Sequence, residues 1–281
     1  MVDVLTFLED DITYGDDNRA SVEFTGGGVS ANVAAWIAAS GERPVLHCAV
    51  GNDLMGDALI ADLEKIGVEV KAIRTSSPTG AVVALVHPNG ERTMFPSAGA
   101  NNDLPTDVID MEVEPSDHVH VSGYFLLREH SRDAALHYIA TAKSHDATVS
   151  LDPASARLIE AMGPREVMSG MRGVDLVMCN EHEAMALTQS KDHATAARLL
   201  AEQFPLAIVK LGPAGACTWT DGALLTVPVA PARVISTLGA GDAFDAAAIV
   251  AWRRGLSLDE ILAAGNRNGQ RVVQQRGARP I

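Results

Sequence analysis

Four consecutive residues, Gly239 to Asp242, combine a glycine turn with a carboxylate. Gly239 and Gly241 have no Cβ, so the backbone there can adopt tight conformations and let an anion approach its N–H groups closely. The apolar run from Ala243 to Trp252 predicts a helix that holds Asp242 in its first turn. The positive end of a helix favours negative charge, so we expect Asp242 to be ionised at neutral pH. The segment therefore predicts an oxyanion site with a proton acceptor beside it.

Three other segments set polar side chains beside glycines or at the ends of apolar strands. They are Thr25 to Asn32, Asn180 to Glu183, and Lys210 to Ala216. The first lacks both the Gly-x-Gly-x-x-Gly spacing of dinucleotide folds and the Gly-Lys-Ser/Thr end of a P-loop. The second follows a strand and opens a helix, which is where open α/β sheets bind ligands. Taken alone, each segment is also typical of ordinary helix capping or a tight turn.

Two other classes of function compete with this interpretation. His118 and His120 alternate along a strand and could begin a zinc site, but no His-Glu-x-x-His helix accompanies them. A non-catalytic sensor of sugars or nucleotides could keep the glycine loops, although it would not need Asp242. Asp245 is the rival carboxylate on the same helix, and we expect it to complement the helix dipole.

The composition of the chain further limits the classes of function that it can have. The chain has 281 residues, enough for a substantial core, and its formal net charge of -14 without a Lys/Arg-rich run argues against nucleic acid or a membrane surface as a partner. No segment resembles a signal peptide and no apolar run could span a bilayer, which predicts a cytoplasmic protein. The three cysteines form no Cys-x-x-Cys pair, and we expect buried thiols at Cys48, Cys179 and Cys217.

The elements that must position these groups alternate between apolar runs and amphipathic segments. Strands are predicted at Val45 to Val50, Val119 to Ser122, Thr148 to Leu151, Leu176 to Cys179 and Ala207 to Leu211. Helices are predicted at Ser30 to Ala39, Met55 to Ile66, Asp133 to Lys143, Glu181 to Leu187 and Ala194 to Gln203. This alternation predicts an α/β fold with a mostly parallel central sheet flanked by helices.

One region interrupts the alternation. Gly80 to Ala98 reads as a hairpin around Pro88-Asn89-Gly90, and Val4 to Phe24 also has strand-like alternation. Together they predict a small β lid above the sheet. Such a lid has one apolar face to cover, so we expect either closure over a substrate or a homodimer formed through the lid.

In this order the segments resemble the PfkB carbohydrate kinase family, which has the three-layer ribokinase-like fold. Gly239-Ala240-Gly241-Asp242 matches in full the Gly-Ala-Gly-Asp of the family's C-terminal signature, and the resemblance begins at about Asp3. The other matches are Gly27, Gly28 and Asn32; Val50 to Gly56; the Gly80 to Ala98 hairpin; Asp152-Pro153; and Asn180 with Glu183. The resemblance implies one kinase domain over residues 1–281, with lid segments at about 4–25 and 78–99.

The activity that the resemblance implies is ATP-dependent phosphorylation of a sugar hydroxyl. Asp242 would accept the proton of the attacking hydroxyl while the amides of Gly239, Ala240 and Gly241 hold the phosphoryl oxygens. By similarity, the nucleotide side comprises Asn180, Glu183, Lys210, Gly212, Gly215 and Asn266, with Mg²⁺ held near Glu183 through water. The acceptor side comprises Asp3, Gly27, Gly28 and Asn32.

The chain departs from the family pattern at two places. Ser236 stands where the signature has an aspartate that helps to bind a monovalent cation, and a neutral hydroxyl is the weaker ligand, so we expect weak or absent K⁺ activation. Family members also carry a hydrophobic strand before the position of Asp3, and we expect that strand to be missing from the numbered sequence.

The family motifs do not choose the acceptor, which could be a sugar or a nucleoside such as adenosine. A nucleoside favours aromatic stacking, and we expect most of the candidate rings to be packing residues. Those rings are Phe7, Tyr14, Phe24, Trp36, Phe95 and Tyr124. The sequence therefore favours a sugar.

Overall fold

The structure is a computed structural model that describes residues 1–89, 91–104 and 113–280. The chain divides into two compact units, one comprising Met1–Leu104 with Gly277–Ile281 and the other Pro105–Arg276. Within the described ranges, no helix has both the length and the apolar character needed to cross a membrane.

The first unit contains six strands and two helices in its described part. In chain order these are β1 (Val2–Leu8), β2 (Ala20–Gly26), α1 (Val29–Ala39), β3 (Val45–Gly51), α2 (Leu54–Lys65), β4 (Glu69–Thr75), β5 (Ala81–Val86) and β6 (Arg92–Ser97). Trp36 is 2% exposed, and its indole N–H donates to the carbonyl of Ala278 at 2.9 Å, which ties the C-terminal segment to α1.

A four-stranded sheet in the order β2-β1-β5-β6 forms from the two segments that were predicted as a lid. β1 pairs antiparallel with β2 and parallel with β5, and β5 pairs antiparallel with β6. The register aligns Phe24, Val4, Val83 and Phe95 in one row across all four strands. Because aligned residues share a face, this row makes one apolar stripe. Gly90, in the turn predicted for the hairpin, lies outside the described residues.

The strand predicted at Val45 to Val50 forms, but it does not join the six-stranded sheet of the second unit. β3 pairs in parallel with β4, a strand that the sequence reading had not identified, in a separate two-stranded sheet. The α2 helix between them begins at Asp53, whose carboxylate accepts from the Gly56 N–H at 2.8 Å. The Val50 to Gly56 motif is therefore a strand end followed by a helix cap.

The second unit is built around a six-stranded sheet in the order β12-β11-β10-β9-β8-β7. Its strands are β7 (His118–Ser122), β8 (Thr148–Asp152), β9 (Leu176–Asn180), β10 (Leu206–Lys210), β11 (Ala216–Thr220) and β12 (Ala223–Val227). Its helices are α3 (Gly123–Leu127), α4 (Glu129–Ser144), α5 (Ala156–Met162), α6 (Pro164–Gly170), α7 (Glu181–Thr188), α8 (His193–Ala201), α9 (Ala240–Arg253) and α10 (Leu258–Val272).

The four strands β7 to β10 are parallel, whereas β11 and β12 extend the sheet antiparallel. Leu176 to Cys179 and Ala207 to Val209 are almost completely buried, as expected for parallel strands covered on both faces. The carboxyl ends of these strands all meet at one edge of the sheet. Asp152, Asn180 and Lys210 are the last residues of β8, β9 and β10, so the fold brings them to that edge.

Candidate active site

The glycine turn and Asp242 lie at the start of α9, as the sequence predicts. Gly239 precedes the helix with φ 76°, a left-handed conformation that favours glycine. Its carbonyl accepts the N–H of Ala243 at 2.9 Å, and Asp242 lies in the first turn of a 14-residue helix. The amides of the first turn therefore share the helix end that attracts anions.

Lys210 is held between two carboxylates at the carboxyl edge of the sheet. Its Nζ donates to Asp152 Oδ2 at 2.6 Å and to the Asp245 carboxylate at 2.9 and 3.2 Å. The side chains are 11% exposed for Lys210, 9% for Asp152 and 0% for Asp245. Asp245 does not complement the helix dipole as expected, because it lies beyond the first turn of α9 and its charge is directed at a buried ammonium group.

Burial and mutual proximity shift the pKa of each member of this cluster. Burial by itself would lower the pKa of Lys210, but the charges of Asp152 and Asp245 raise it well above its ordinary value. Burial raises the pKa of Asp245 well above the usual range, and the neighbouring Asp152 adds to the effect. Burial would also raise the pKa of Asp152, but Lys210 and hydrogen bonds hold it below its usual value. The ammonium is therefore charged at neutral pH.

Asn180 and Glu183 form a reciprocal cap at the start of α7. Asn180 Oδ1 accepts the Glu183 N–H at 3.0 Å, and Glu183 Oε2 accepts the Asn180 N–H at 2.8 Å. Burial, with the Asp152 charge second, raises the pKa of Glu183 to about 7. In this cap, one oxygen of the Glu183 carboxylate is hydrogen bonded to the backbone.

No group of three or more His, Cys, Asp or Glu side chains in the described ranges is arranged to hold a metal ion by itself. Mg²⁺ is commonly bound by one or two carboxylates, water and substrate phosphates rather than by a protein cage. The buried Glu183 carboxylate, which is not paired with the Lys210 ammonium as those of Asp152 and Asp245 are, fits such an ion. Both ring nitrogens of His118 are engaged within the sheet, since they hydrogen bond to the Thr148 and Ser150 hydroxyls at 2.9 and 2.8 Å.

The glycines and the asparagine predicted to border the nucleotide have identifiable structural roles. Gly215 has φ 99°, and a Cβ there would lie 2.1 Å from the Val227 carbonyl oxygen. Gly212 has φ 58° and open space around it. Asn266 is 7% exposed, and its amide N–H donates to the Val227 carbonyl at 2.8 Å. Asn266 therefore holds the end of β12 from a buried position on α10.

The residues predicted for the acceptor side come together in the first unit. Asp3 is 6% exposed and Asn32 is 4% exposed. A Cβ on Gly27 would lie 2.2 to 2.3 Å from the Asp3 carboxylate, so the absence of a side chain at Gly27 lets the two approach closely. Burial raises the pKa of Asp3 above its ordinary value. Gly28 has φ 97° and precedes α1.

Sequence reasoning missed Arg279, which reaches the same group from the C-terminal segment. Its guanidinium donates to the Gly27 carbonyl at 3.2 Å, to Asn32 Oδ1 at 3.4 Å and to Asp62 at 2.6 Å. These contacts join residues that are up to 252 positions apart. No local pattern predicts them, whereas the pairing of Asp152 with Lys210 could be suspected because both residues end strands.

Ser236 and the cysteines complete the predicted set. The Ser236 hydroxyl oxygen accepts the Leu238 N–H at 3.2 Å, so one of its lone pairs is used within the turn and not for a cation. Cys179 and Cys217 are buried free thiols, as expected, and Cys48 is partly buried.

Known proteins that resemble this chain in sequence or in structure agree in their family and fold. The model of the pfkB family carbohydrate kinases matches residues 3–281. An ATP-dependent ribose-1-phosphate kinase of Halopiger xanaduensis is 28% identical over 268 residues, which cover 94% of this chain and 86% of that protein. A solved adenosine kinase of Sinorhizobium meliloti superposes with a TM-score of 0.85 at 25% identity, covering 100% of this chain and 93% of the other. A solved ribokinase of Thermotoga maritima gives 0.81 at 26% identity, with 99% and 91% covered. The ribokinase-like α/β fold is confirmed.

Proposed function

The chain belongs to the pfkB family of carbohydrate kinases and is a phosphotransferase, and on that premise we propose that it transfers the γ-phosphoryl group of ATP to a hydroxyl of a small sugar, with Asp242 as general base. The observation that carries this proposal is the left-handed Gly239 immediately before a 14-residue helix whose first turn holds Asp242. One short segment thereby supplies an anion site and a proton acceptor.

In the proposed step, the acceptor hydroxyl gives its proton to the Asp242 carboxylate as its oxygen bonds to the γ-phosphorus. The bond from the γ-phosphorus to the bridging oxygen breaks, and ADP leaves with that electron pair. The amides of Gly239, Ala240 and Gly241 stabilise the negative charge on the transferring group. Catalysis then depends mainly on how accurately this turn is positioned.

The nucleotide side of the proposed site belongs to the same unit as Asp242. Asn180 and Glu183 would hold Mg²⁺ through its waters, and the ion would neutralise phosphate charge. Gly212 and Gly215 give the loop after β10 its positive φ angles, and Asn266 holds the end of β12. Lys210 belongs to this side by family resemblance.

A sugar is the proposed acceptor because the acceptor group is polar. Asp3, Asn32 and the amide of Gly28 can pair with several hydroxyls. The Gly27 amide donates to the Met1 carbonyl at 3.0 Å, and the lack of a side chain at Gly27 leaves room beside Asp3.

Of the candidate rings, Trp36 is buried in the core and cannot stack on a base. Tyr14, Phe24 and Phe95 are exposed, so the expectation that most of the rings are packing residues was wrong. A nucleoside acceptor remains the second candidate because of the similarity to an adenosine kinase.

Replacing Asp242 with Asn tests the proposal. Loss of a general base costs about 10²- to 10⁴-fold in turnover, while the amide preserves the shape of the side chain. Asp192→Asn is the matched control, since Asp192 caps α8 by accepting the Thr195 N–H at 2.8 Å. ATP consumption should be measured over a panel of sugars and nucleosides. Full activity of Asp242→Asn would contradict the general-base role, and no ATP consumption with any acceptor would favour a sensor.

We also propose that the protein forms a homodimer through its four-stranded sheet. In the apolar row, Phe24 is 63% exposed, Phe95 55% and Val83 36%. Burying such a stripe against a second copy would stabilise the dimer. Light scattering should give twice the chain mass for the wild type and the chain mass for Phe95→Asp. A monomeric wild type would refute the proposal. No nucleic acid or membrane partner is expected, and the cytoplasmic location stays a prediction.

A further inference from the structure

We propose that Lys210, Asp152 and Asp245 form a buried clamp that positions the Gly239–Asp242 turn, so that Lys210 is a positioning residue and not a ligand of the nucleotide. The proposal rests on the function proposed above for that turn. It replaces the role that family resemblance assigned to Lys210.

The clamp joins three elements of the second unit. Asp152 ends β8, Lys210 ends β10, and Asp245 lies on α9 three residues after Asp242. The Lys210 ammonium reaches Asp152 at 2.6 Å and Asp245 at 2.9 Å. Because Asp242 and Asp245 belong to the same rigid helix, fixing Asp245 against two strand ends also fixes the helix turn that carries Asp242.

The ammonium also lies close to the glycine turn. A Cβ built on Gly241 would be 3.5 Å from Lys210 Nζ. The positive charge is therefore close to the amides that would bind the phosphoryl oxygens. A fixed charge in a water-poor setting stabilises developing negative charge without having to reorganise.

The contacts of Lys210 explain why it is assigned to positioning. An ammonium has three N–H donors, and those of Lys210 are directed at two carboxylates whose side chains are 9% and 0% exposed. Turning Lys210 towards a nucleotide would leave both carboxylates buried without their cation. Breaking a buried ion pair in this way is strongly unfavourable.

Four variants test the clamp: Lys210→Met, Asp245→Asn, the double variant and Lys143→Met. The double variant keeps the formal charge of the wild-type cluster but lacks the clamp. Lys143→Met is the matched control, since Lys143 pairs with Asp175 at 2.9 Å, is 37% exposed and lies outside the proposed site. For each variant, kcat, the KM of ATP, the calorimetric Kd of ATP with Mg²⁺ and the Tm should be measured.

We expect kcat to fall about 10²-fold in Lys210→Met, the loss typical of a misplacement near 1 Å, while the Kd of ATP stays within about 2-fold of the wild-type value. The double variant should recover Tm relative to Lys210→Met but not kcat. Lys143→Met should keep wild-type kcat. If Lys210→Met does not fold, the double variant and Asp245→Asn still separate stability from turnover.

Two outcomes would overturn the clamp. A rise of 10-fold or more in the Kd of ATP with little change in kcat would make Lys210 a nucleotide ligand. Recovery of kcat together with Tm in the double variant would reduce the cluster to a purely structural role. Both results leave the kinase assignment intact, whereas full activity of Asp242→Asn would remove the general base on which the clamp proposal rests.

Discussion

The end of β12 and the segment after it provide a test of the proposed nucleotide side. Asn266 and Gln270 lie one turn apart on α10; Asn266 donates to the carbonyl of the last residue of β12, and Gln270 donates to a carbonyl of the segment that follows. Asn266 reaches Val227 at 2.8 Å from a buried position, and Gln270 reaches Ala230 at 2.6 Å from an exposed one. Replacing each with Ala removes the same kind of bond in two different environments.

The expected magnitudes differ because only one site excludes water. Asn266→Ala leaves a carbonyl without its buried partner, which costs about 1–3 kcal/mol of unfolding free energy. In a domain of this size, each kcal/mol lowers Tm by roughly 2–4 °C. In Gln270→Ala, water replaces the side chain, so the change should stay within about 0.5 kcal/mol.

Thermal unfolding and ATP kinetics should be measured on both variants. Asn266→Ala should lower Tm by several degrees and raise the KM of ATP, because Asn266 anchors the end of β12 from which the chain continues to the Gly239 turn. Gln270→Ala should match the wild type in both. Equal Tm losses in the two variants, or no loss in Asn266→Ala, would refute the claim that burial of the Val227 contact matters.

Three further predictions concern packing, pH and cations. A Cβ at Gly265 would lie 2.5 Å from the Phe244 ring, so Gly265→Ala should lower the free energy of unfolding in denaturant by about 1–3 kcal/mol through overpacking. Gly269→Ala, one turn further along α10, should leave that free energy unchanged. Equal losses in the two variants would contradict the steric argument. Hydrogen bonds from the Thr79 amide and hydroxyl lower the pKa of Asp53 to about 2, so its stabilising effect is complete above the ordinary value near 4 and is lost as pH falls through 2. The Tm difference between wild type and Asp53→Asn should therefore shrink over that window, and a constant difference would count against the linkage. Replacing a bulky organic cation with K⁺ should change kcat little, because Ser236 offers a neutral hydroxyl; a large gain in rate would show that the cation site is intact.

Much of the fold follows from local patterns in this chain. The predicted strands of the parallel sheet appear as β7 to β10 because continuous apolar runs such as Leu176 to Cys179 are typical of strands buried on both faces. The two predicted lid segments form one sheet. β4 was not predicted because no strong turn signal bounds Glu69 to Thr75, and its pairing with β3 depends on the crossover through α2.

The residues of the candidate site likewise divide into those that local sequence predicts and those that it does not. Gly239 and Asp242 could be identified from sequence because a positive φ angle and a first-turn carboxylate are local properties of a few residues. Asp245 was misjudged because nothing in its neighbours shows that a lysine 35 positions earlier is buried against it.

The sequence by itself determined the family to which the chain belongs, the alternation of strands and helices, and the segments proposed to carry the chemistry. Backbone conformation, helix capping and apolar periodicity depend on neighbours in the chain, so they can be predicted from the sequence. Only the tertiary structure decided the partners of the buried charges. Lys210 binds Asp152 and Asp245, and Arg279 reaches Gly27, because burial makes each cation take whichever acceptors the fold brings within reach.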